Sequence, residues 1–145
     1  IGAPRASLEL GRSEIFRWGR DGVILCCGTL LTDCLKASEI LAAEGLELFL
    51  KTYPQSVKRP DALFFLGLCH YNQRAFDKAQ AAFDRIIKEH AASPQFLPAR
   101  LKRAQCLLKQ GLKPAALKAF RELADGFPGS AEARTAQQEL SDLGL

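Results

Sequence analysis

A 37-residue repeat in the middle and C-terminal parts of the chain constrains its fold more than any other feature. Residues 60–69 align with residues 97–106 without gaps. In both units a small residue of this segment is followed 12 residues later by Ala, and four residues after that by Phe. These positions are Gly67, Ala79 and Phe83 in one unit and Ala104, Ala116 and Phe120 in the next, and an earlier segment repeats the ending with Ala42 and Leu46. A period of this length is typical of stacked repeats, in which each unit covers the apolar face of its neighbour.

Each unit has the pattern of a helix, a tight turn and a second helix. From Pro60 onward, apolar residues recur at intervals of three and four, which is the helical period. The turns within the units are predicted at residues 72–77 and 110–114. Gly111 suits the left-handed residue that follows a helix, and Pro114 suits the first turn of the next one.

Short breaks at residues 53–56, 92–94 and 127–130 separate the units. Ser130 is expected to cap the last helix, which is predicted from about residue 131 to residue 143. The sequence therefore predicts an all-α fold, a stack of about three antiparallel helix pairs with a C-terminal capping helix. The predicted boundaries are an N-terminal segment of uncertain structure at 1–21, units at about 22–56, 60–94 and 97–130, and a cap at 131–145.

The first 40 residues fit the repeat poorly. Leu30 occupies the position that corresponds to Gly67 and Ala104, where a leucine would obstruct close helix packing. Residues 22–35 are nevertheless the best candidate for the opening helix of the first unit. The apolar run 23–31 resembles the core of a signal peptide, but it leads into a helical pattern rather than a cleavage site, so we interpret it as a buried helix.

The composition is ordinary for a folded domain. Of 145 residues, 48% are hydrophobic and 25% are charged, with a net charge of +4. No apolar run is long enough for a conventional membrane-spanning helix, and the charge is too small to identify a nucleic-acid binder. Because the chain begins at Ile1 and lacks Met, we expect a fragment or a processed product, from which a targeting signal can have been lost.

The cysteines lack the spacing that is typical of a disulfide framework. Their number is odd, no Cys-x-x-Cys occurs, and each lies among apolar neighbours, where cysteine behaves as a small buried hydrophobe. This pattern weakly favours a reducing compartment. The five are Cys26, Cys27, Cys34, Cys69 and Cys106.

No motif in the sequence indicates catalysis. The chain contains no Gly-rich phosphate loop, no Gly-x-Ser-x-Gly and no His-Glu-x-x-His. His70 and His90 have no spacing to a second ligand that suggests zinc, and we interpret them as packed or solvated histidines. We therefore expect no enzymatic activity, no metal, no cofactor and no small-molecule substrate.

The repeat positions resemble those of the tetratricopeptide repeat, whose helix pair carries a small residue, then Ala and a bulky residue, then Pro at the break. The resemblance covers residues 41–145, and the spacing of 37 exceeds the usual period of about 34. It implies a right-handed superhelical stack and a non-catalytic role in protein–protein interaction. The matching positions, which we expect to pack the units together, are Ala42, Leu46, Phe49, Pro54, Gly67, Ala79, Phe83, Ala104, Ala116, Phe120 and Pro128.

Three short segments narrow the resemblance. Residues 49–56, 62–67 and 127–133 are similar to segments of the periplasmic tetratricopeptide proteins of the Tol-Pal system. They are less similar to the lipoprotein subunit of the outer-membrane barrel-assembly machine. The resemblance implies a scaffold in a bacterial cell-envelope complex that serves division or outer-membrane maintenance, located in the periplasm. The five cysteines show no evident disulfide pairing, and this favours the cytoplasm as the alternative location.

The charge layout indicates where a partner would bind. Between His90 and Arg121 the chain has no acidic residue but seven basic ones. Lys102, Lys109 and Lys113 are separated by seven and four positions, so they share one side as far as the helix continues. The alternative interpretation is a solvated basic face. It would balance the acidic residues of the following segment, which are Glu122, Asp125, Glu132, Glu139 and Asp142.

The family resemblance implies a groove, because the first helix of each pair lines the concave surface. The groove would have an apolar half from one unit and a cationic half from the next, suited to an extended or helical peptide with acidic residues. A homo-oligomer is also compatible with these features. The predicted groove residues are Asp61, Phe65, Leu68, Asn72, Lys102, Gln105, Lys109 and Lys113.

Two other functions remain as alternatives. A cytosolic adaptor that clamps a C-terminal carboxylate needs Lys and Asn on the first helices; Lys102 matches one position, whereas Phe64, Phe65 and Leu68 occupy that region. Nucleic-acid binding through the basic third unit is more remote, because no aromatic residues interleave with the basic ones.

Overall fold

The computed structural model of the protein describes residues 31–144, with side chains from residue 36 onward. The chain divides into two units between residues 41 and 42, and the described residues of the second unit are 42–144. The predicted N-terminal segment 1–21 lies outside the described residues, as do Cys26, Cys27 and most of the apolar run 23–31.

All regular structure in residues 31–144 is helical, which confirms the predicted all-α repeat stack. From α2 onward, each helix packs against the next, and the short connections make neighbours antiparallel. The helices are α1 (Leu31–Thr52), α2 (Arg59–Asn72), α3 (Phe76–Glu89), α4 (Phe96–Lys109), α5 (Lys113–Gly126) and α6 (Ala131–Asp142).

The two turns within the units have the same backbone geometry. The α4–α5 turn places Gly111 at φ +81°, which confirms the predicted left-handed glycine. The α2–α3 turn places Arg74, 37 residues earlier, at φ +61°. In both turns the N–H that follows this residue bonds the carbonyl five residues back, from Ala75 to His70 at 2.9 Å and from Leu112 to Leu107 at 3.0 Å. This arrangement satisfies carbonyls left open at a helix end.

The predicted helix starts at Pro114 and Ser130 are confirmed. Pro114 lies in the first turn of α5, where its missing N–H costs no hydrogen bond. Ser130 caps α6, because its hydroxyl accepts a hydrogen bond from the Ala133 N–H at 3.0 Å.

Helix α1 differs from the predicted opening helix of the first unit. Residues 31–35, assigned by the sequence to a helix at 22–35, continue without a break into the helix that contains Ala42 and Leu46. No Gly or Pro occurs between residues 30 and 44, so nothing in this stretch stops the helix.

Close approach of α2 and α3 depends on Gly67. A Cβ built on Gly67 would lie 2.5 Å from Cε1 of Phe83, so the ring occupies the space that any side chain would need. Phe83 and Ala79 are completely buried, and so are Phe120, Ala116 and Ala104 of the next unit.

The repeat positions in α1 are less buried than the equivalent positions in α3 and α5. Ala42 is exposed and Leu46 is half-buried, whereas their counterparts in α3 and α5 are completely buried. Leu46 packs against the core cluster in which its helical neighbours Ala43 and Leu50 are buried together with residues of α2, whereas Ala42 lies outside this cluster. Pro54 and Pro128 lie exposed in the breaks between units. Within residues 31–144, no helix is both long and apolar enough to cross a membrane.

Candidate functional site

Side chains form three stripes, one on each of α2, α4 and α6. Within a stripe, successive residues are three or four positions apart and therefore lie on one side of the helix. We call the three stripes together the α2–α4–α6 face. They are Asp61, Phe65, Leu68 and Asn72 on α2; Lys102, Gln105 and Lys109 on α4; and Glu132, Thr135, Glu139 and Asp142 on α6.

A chain of polar contacts joins these stripes side by side. The Lys102 ammonium lies 5.3 Å from the centre of the Tyr71 ring of α2, a cation–π distance. The same ammonium donates to Oε1 of Gln105 at 3.1 Å, and Nε2 of Gln105 donates to Oε1 of Glu139 on α6 at 3.0 Å. The α4 stripe therefore lies between the other two, and Lys102 is already engaged within the protein.

Cys106 is buried and Tyr71 is half-buried beside this chain of contacts, and both stay protonated at neutral pH. Burial raises the pKa of the Tyr71 phenol above 10.0, and Cys106 and Glu139 raise it further. Burial also raises the pKa of the Cys106 thiol to about 11, although Lys102 opposes this shift. A neutral, completely buried thiol is a packing group rather than a nucleophile.

Phe65 is the most accessible large apolar side chain of the face. Its side of α2 is turned away from the core, and 55% of the residue is exposed. Its ring meets the Phe64 ring edge-on at 6.3 Å, and half-buried Leu68 packs against the core. The Phe64 ring thus covers part of Phe65, while the outer surface of Phe65 remains open.

Glutamine–carboxylate hydrogen bonds tie successive units together at three levels. Nε2 of Gln95 donates to Oδ1 of Asp61 at 3.0 Å, at the N-terminal end of the α2 stripe. Nε2 of Gln110 donates to Oδ1 of Asp77 at 2.9 Å, where α4 ends beside the start of α3. With the Gln105–Glu139 bond, they fix the lateral register of the helices that carry the face.

Lys113 does not share a helix with Lys102 and Lys109. Helix α4 ends at Lys109, and Lys113 begins α5 beyond the turn at Gly111. The predicted common side of these three lysines is therefore interrupted. Lys109 and Lys113 are both exposed, and neither has an ion-pair partner among the described side chains.

Three other residues of the basic stretch, Arg100, Arg103 and Lys118, face carboxylates of α3 and α5. Nε of Arg103 lies 2.6 Å from Oδ1 of Asp84, and Nη2 of Arg100 lies 3.8 Å from Oε2 of Glu122. These groups line a surface pocket between α3 and α5, with Ile87 and Ala119 as apolar lining. On this side of α4 the basic residues are thus balanced by carboxylates, as the alternative interpretation expects. The α2–α4–α6 face lies on the other side of α4.

The two histidines do not gather ligands. His70 is buried, with Nε2 3.7 Å from Oε1 of Glu47, and His90 lies 3.9 Å from its neighbour Glu89. No group of three or more His, Cys, Asp or Glu side chains in the described part of the chain is arranged to hold a metal ion.

The predicted groove residues of α2 and α4 lie at helical spacing on their own helices, and among them the structure joins Lys102 to Gln105 by a hydrogen bond. Two further elements, which the sequence left out, contact these residues. Tyr71 engages Lys102, and the α6 stripe forms the third side of the face. The spacing of Glu132, Thr135, Glu139 and Asp142 was a visible signal for the α6 stripe, because it repeats the three- and four-residue intervals of the other two.

Comparison with protein families gives a match over most of the described helices. The profile described as tetratricopeptide repeat matches residues 41–95 and 71–131. A comparison with curated protein sequences gives no match. The matched residues cover more than half of the chain and include α2 to α5, with the turns and packing positions described above. The chain therefore belongs to the tetratricopeptide repeat family.

Proposed function

We propose that this protein is a non-catalytic scaffold that binds a peptide or protein segment on the α2–α4–α6 face. Tetratricopeptide repeat proteins are generally adaptors without catalytic activity, and the repeats suggest protein partners. The observation that carries the proposal is Phe65, a large aromatic residue that is 55% exposed on the α2 stripe. Exposed aromatic side chains set among polar groups are typical anchors of protein–protein interfaces.

The physical basis is that the polar groups of the neighbouring stripes are already hydrogen-bonded to one another. Lys102, Gln105 and Glu139 already satisfy one another, so a partner that covers Phe65 does not have to leave them unpaired. An interface of this kind gains from apolar burial and loses little in side-chain ordering.

As the setting, we propose a bacterial cell-envelope complex like the Tol-Pal system, in the periplasm, with a role in division or outer-membrane maintenance. The support is the resemblance carried by residues 49–56, 62–67 and 127–133. Detection of the full-length protein in periplasmic rather than cytoplasmic fractions tests this setting. A cytosolic adaptor is the second candidate. Cys106 favours it, because this thiol is fully buried within the core of a repeat.

Photo-crosslinking in cells tests the binding face. A benzophenone side chain placed at Phe65 is expected to capture a protein partner. The matched control is the same group at Leu112, which is 50% exposed but lies in the α4–α5 turn. Capture from position 65 that is lost with Lys109→Glu supports the proposal. Equal capture from both positions, or capture from position 112 alone, contradicts it.

A further inference from the structure

Exposed apolar side chains are concentrated in α1 and in the break that follows it. Among the described side chains, seven large apolar residues are half exposed or more, and five of the seven lie within residues 40–57. They are Ile40, Leu41, Leu48, Tyr53 and Val57. Single exposed apolar residues are normal on a protein surface, whereas a cluster of them marks an interaction surface.

Four residues of α1 form a stripe on the side of the helix that faces away from the core. Leu41, Gly45, Leu48 and Thr52 follow one another at intervals of four, three and four, which is the heptad spacing of paired helices. We call these four residues the α1 seam. Its leucines are 61% and 66% exposed, whereas the core residues of α1 lie on the opposite side of the helix.

The corresponding positions of the next unit show that leucine is unusual here. One repeat period later, Leu41 and Leu48 are replaced by Lys78 and Arg85, which are exposed charged residues on the outer side of α3. In α5 the corresponding residues are Ala115 and Glu122. A helix side that faces water is thus largely charged in the later units, whereas α1 carries leucine at both positions. The composition of the α1 seam therefore favours a covered surface.

The α1 seam fits a second copy of itself in the antiparallel direction. Small residues alternate with leucines along it, and in an antiparallel pair the two kinds of position face each other. Leu48 of one copy then lies on Gly45 of the other, and Leu41 lies on Thr52. No atom lies within 4 Å of a Cβ built on Gly45, so the space for Leu48 is open. In a parallel pair Gly45 would face Gly45 and leave a gap.

The polar groups of α1 are compatible with the same register. Glu44 and Lys51 flank the α1 seam on one edge, both are exposed, and neither has an ion-pair partner among the described side chains. The antiparallel register places Glu44 of each copy beside Lys51 of the other, whereas a parallel pair would place Glu44 beside uncharged Phe49. The Thr52 hydroxyl already donates to the Leu48 carbonyl at 2.8 Å, so covering it leaves no donor unpaired.

We propose that α1 joins two copies of this chain in an antiparallel, two-fold symmetric pair. Leu48 of each copy packs on Gly45 of the other, and Glu44 of each copy pairs with Lys51 of the other. The α1 seam spans about three helical turns, which is short for a permanent dimer, so association depends on protein concentration. This pairing goes beyond the proposed scaffold function, because it uses α1 and leaves the α2–α4–α6 face to another partner.

Charge exchange on the full chain tests the pairing. Sedimentation equilibrium at low salt, from micromolar to millimolar protein, measures the mass and the dissociation constant of the dimer. Lys51→Glu is expected to weaken the dimer about tenfold, because two exposed ion pairs become two repulsions. Adding Glu44→Lys to this variant should restore the original dissociation constant. The matched control is Lys88→Glu, the same change one repeat period later in α3, which should have no effect.

Zero-length carbodiimide crosslinking tests the antiparallel direction. Within one helix, Glu44 and Lys51 are about 10 Å apart along the axis, so an amide bond between them reports a second copy. We expect this bond in the dimer and not in the monomer. A dimer without it would overturn the proposal, as would a trimer or a double variant that stays as weak as Lys51→Glu. A monomer at every concentration would also overturn it and would mean that residues 1–30 or another protein cover the α1 seam. Crosslinking from Phe65 tests the scaffold function separately.

Discussion

Arg74 and Gly111 occupy the same position in successive units and the same left-handed backbone conformation, at φ +61° and +81°. A glycine adopts this conformation freely, whereas a residue with a Cβ is strained there by about 1–2 kcal/mol. The first turn therefore stores strain that the second turn avoids. Because Arg74 is exposed, no packing contact offsets this strain.

Arg74→Gly is expected to raise the free energy of unfolding by about 0.5–1 kcal/mol, since relief of strain exceeds the greater entropy of glycine in the unfolded chain. Chemical denaturation of the two proteins measures the difference. The reverse change, Gly111→Arg, is the matched control and should lower the free energy of unfolding by a similar amount, because nothing within 4 Å obstructs a Cβ there. The strain argument is wrong if Arg74→Gly does not stabilise the protein and Gly111→Arg does not destabilise it.

At the scale of helices, the contact between α2 and α3 depends on the absence of a side chain at Gly67. Gly67→Ala is expected to lower the free energy of unfolding by about 1–3 kcal/mol, because the added Cβ lies 2.5 Å from an atom of the Phe83 ring, which has no free space to move into. Denaturant unfolding measures the loss.

Gly45→Ala is the matched control for this prediction. Gly45 is also a helical glycine, but no atom lies within 4 Å of a Cβ built there. The change should therefore stabilise the protein by about 0.5–1 kcal/mol through helix propensity alone. A Gly67→Ala protein as stable as the Gly45→Ala protein would show that α2 and α3 can separate without cost.

The elements that could be predicted from the sequence are those with local signals. Pro114, Gly111 and Ser130 act within a few residues of their own position, so the turns and helix starts at these residues were predicted correctly. The start of helix α1 was not predicted correctly. Residues 31–35 contain no residue that would end a helix, and only the repeat register had placed them in a separate helix at 22–35.

The candidate site was less predictable, because its geometry depends on residues about 34 positions apart. The stripes of α2 and α4 follow from helical spacing. That Lys102 is engaged by Tyr71 and Gln105 depends on side-chain direction and on the approach of neighbouring helices. The division of the basic stretch between two sides of α4 has the same origin, since Asp84 and Glu122 come from different helices.

At the scale of the whole molecule, the units are joined by hydrogen bonds from glutamine amides to carboxylates and by the packing of completely buried apolar groups. Cys106 belongs to this buried set and lies at the position that Cys69 occupies in the previous unit. Because its folded-state pKa of about 11 exceeds its ordinary value of 9.0, the folded protein holds the thiol proton more tightly than the unfolded chain does. Stability must therefore depend on pH in the alkaline range.

The sign of this dependence follows from proton counting. Between pH 9 and pH 11 the unfolded chain releases the thiol proton and the folded protein retains it, so the free energy of unfolding falls as the pH rises. The expected loss from this thiol is roughly 1–2 kcal/mol across the range.

Cys106→Ala tests this prediction. The change lowers stability at every pH by creating a small cavity, but it should flatten the fall in stability at alkaline pH. The raised pKa of Tyr71 leaves a residual slope above pH 10. Urea unfolding of both proteins at pH 7, 9 and 10 measures the two slopes. Parallel slopes would mean that Cys106 does not hold its proton through burial, and that the core between the units admits water.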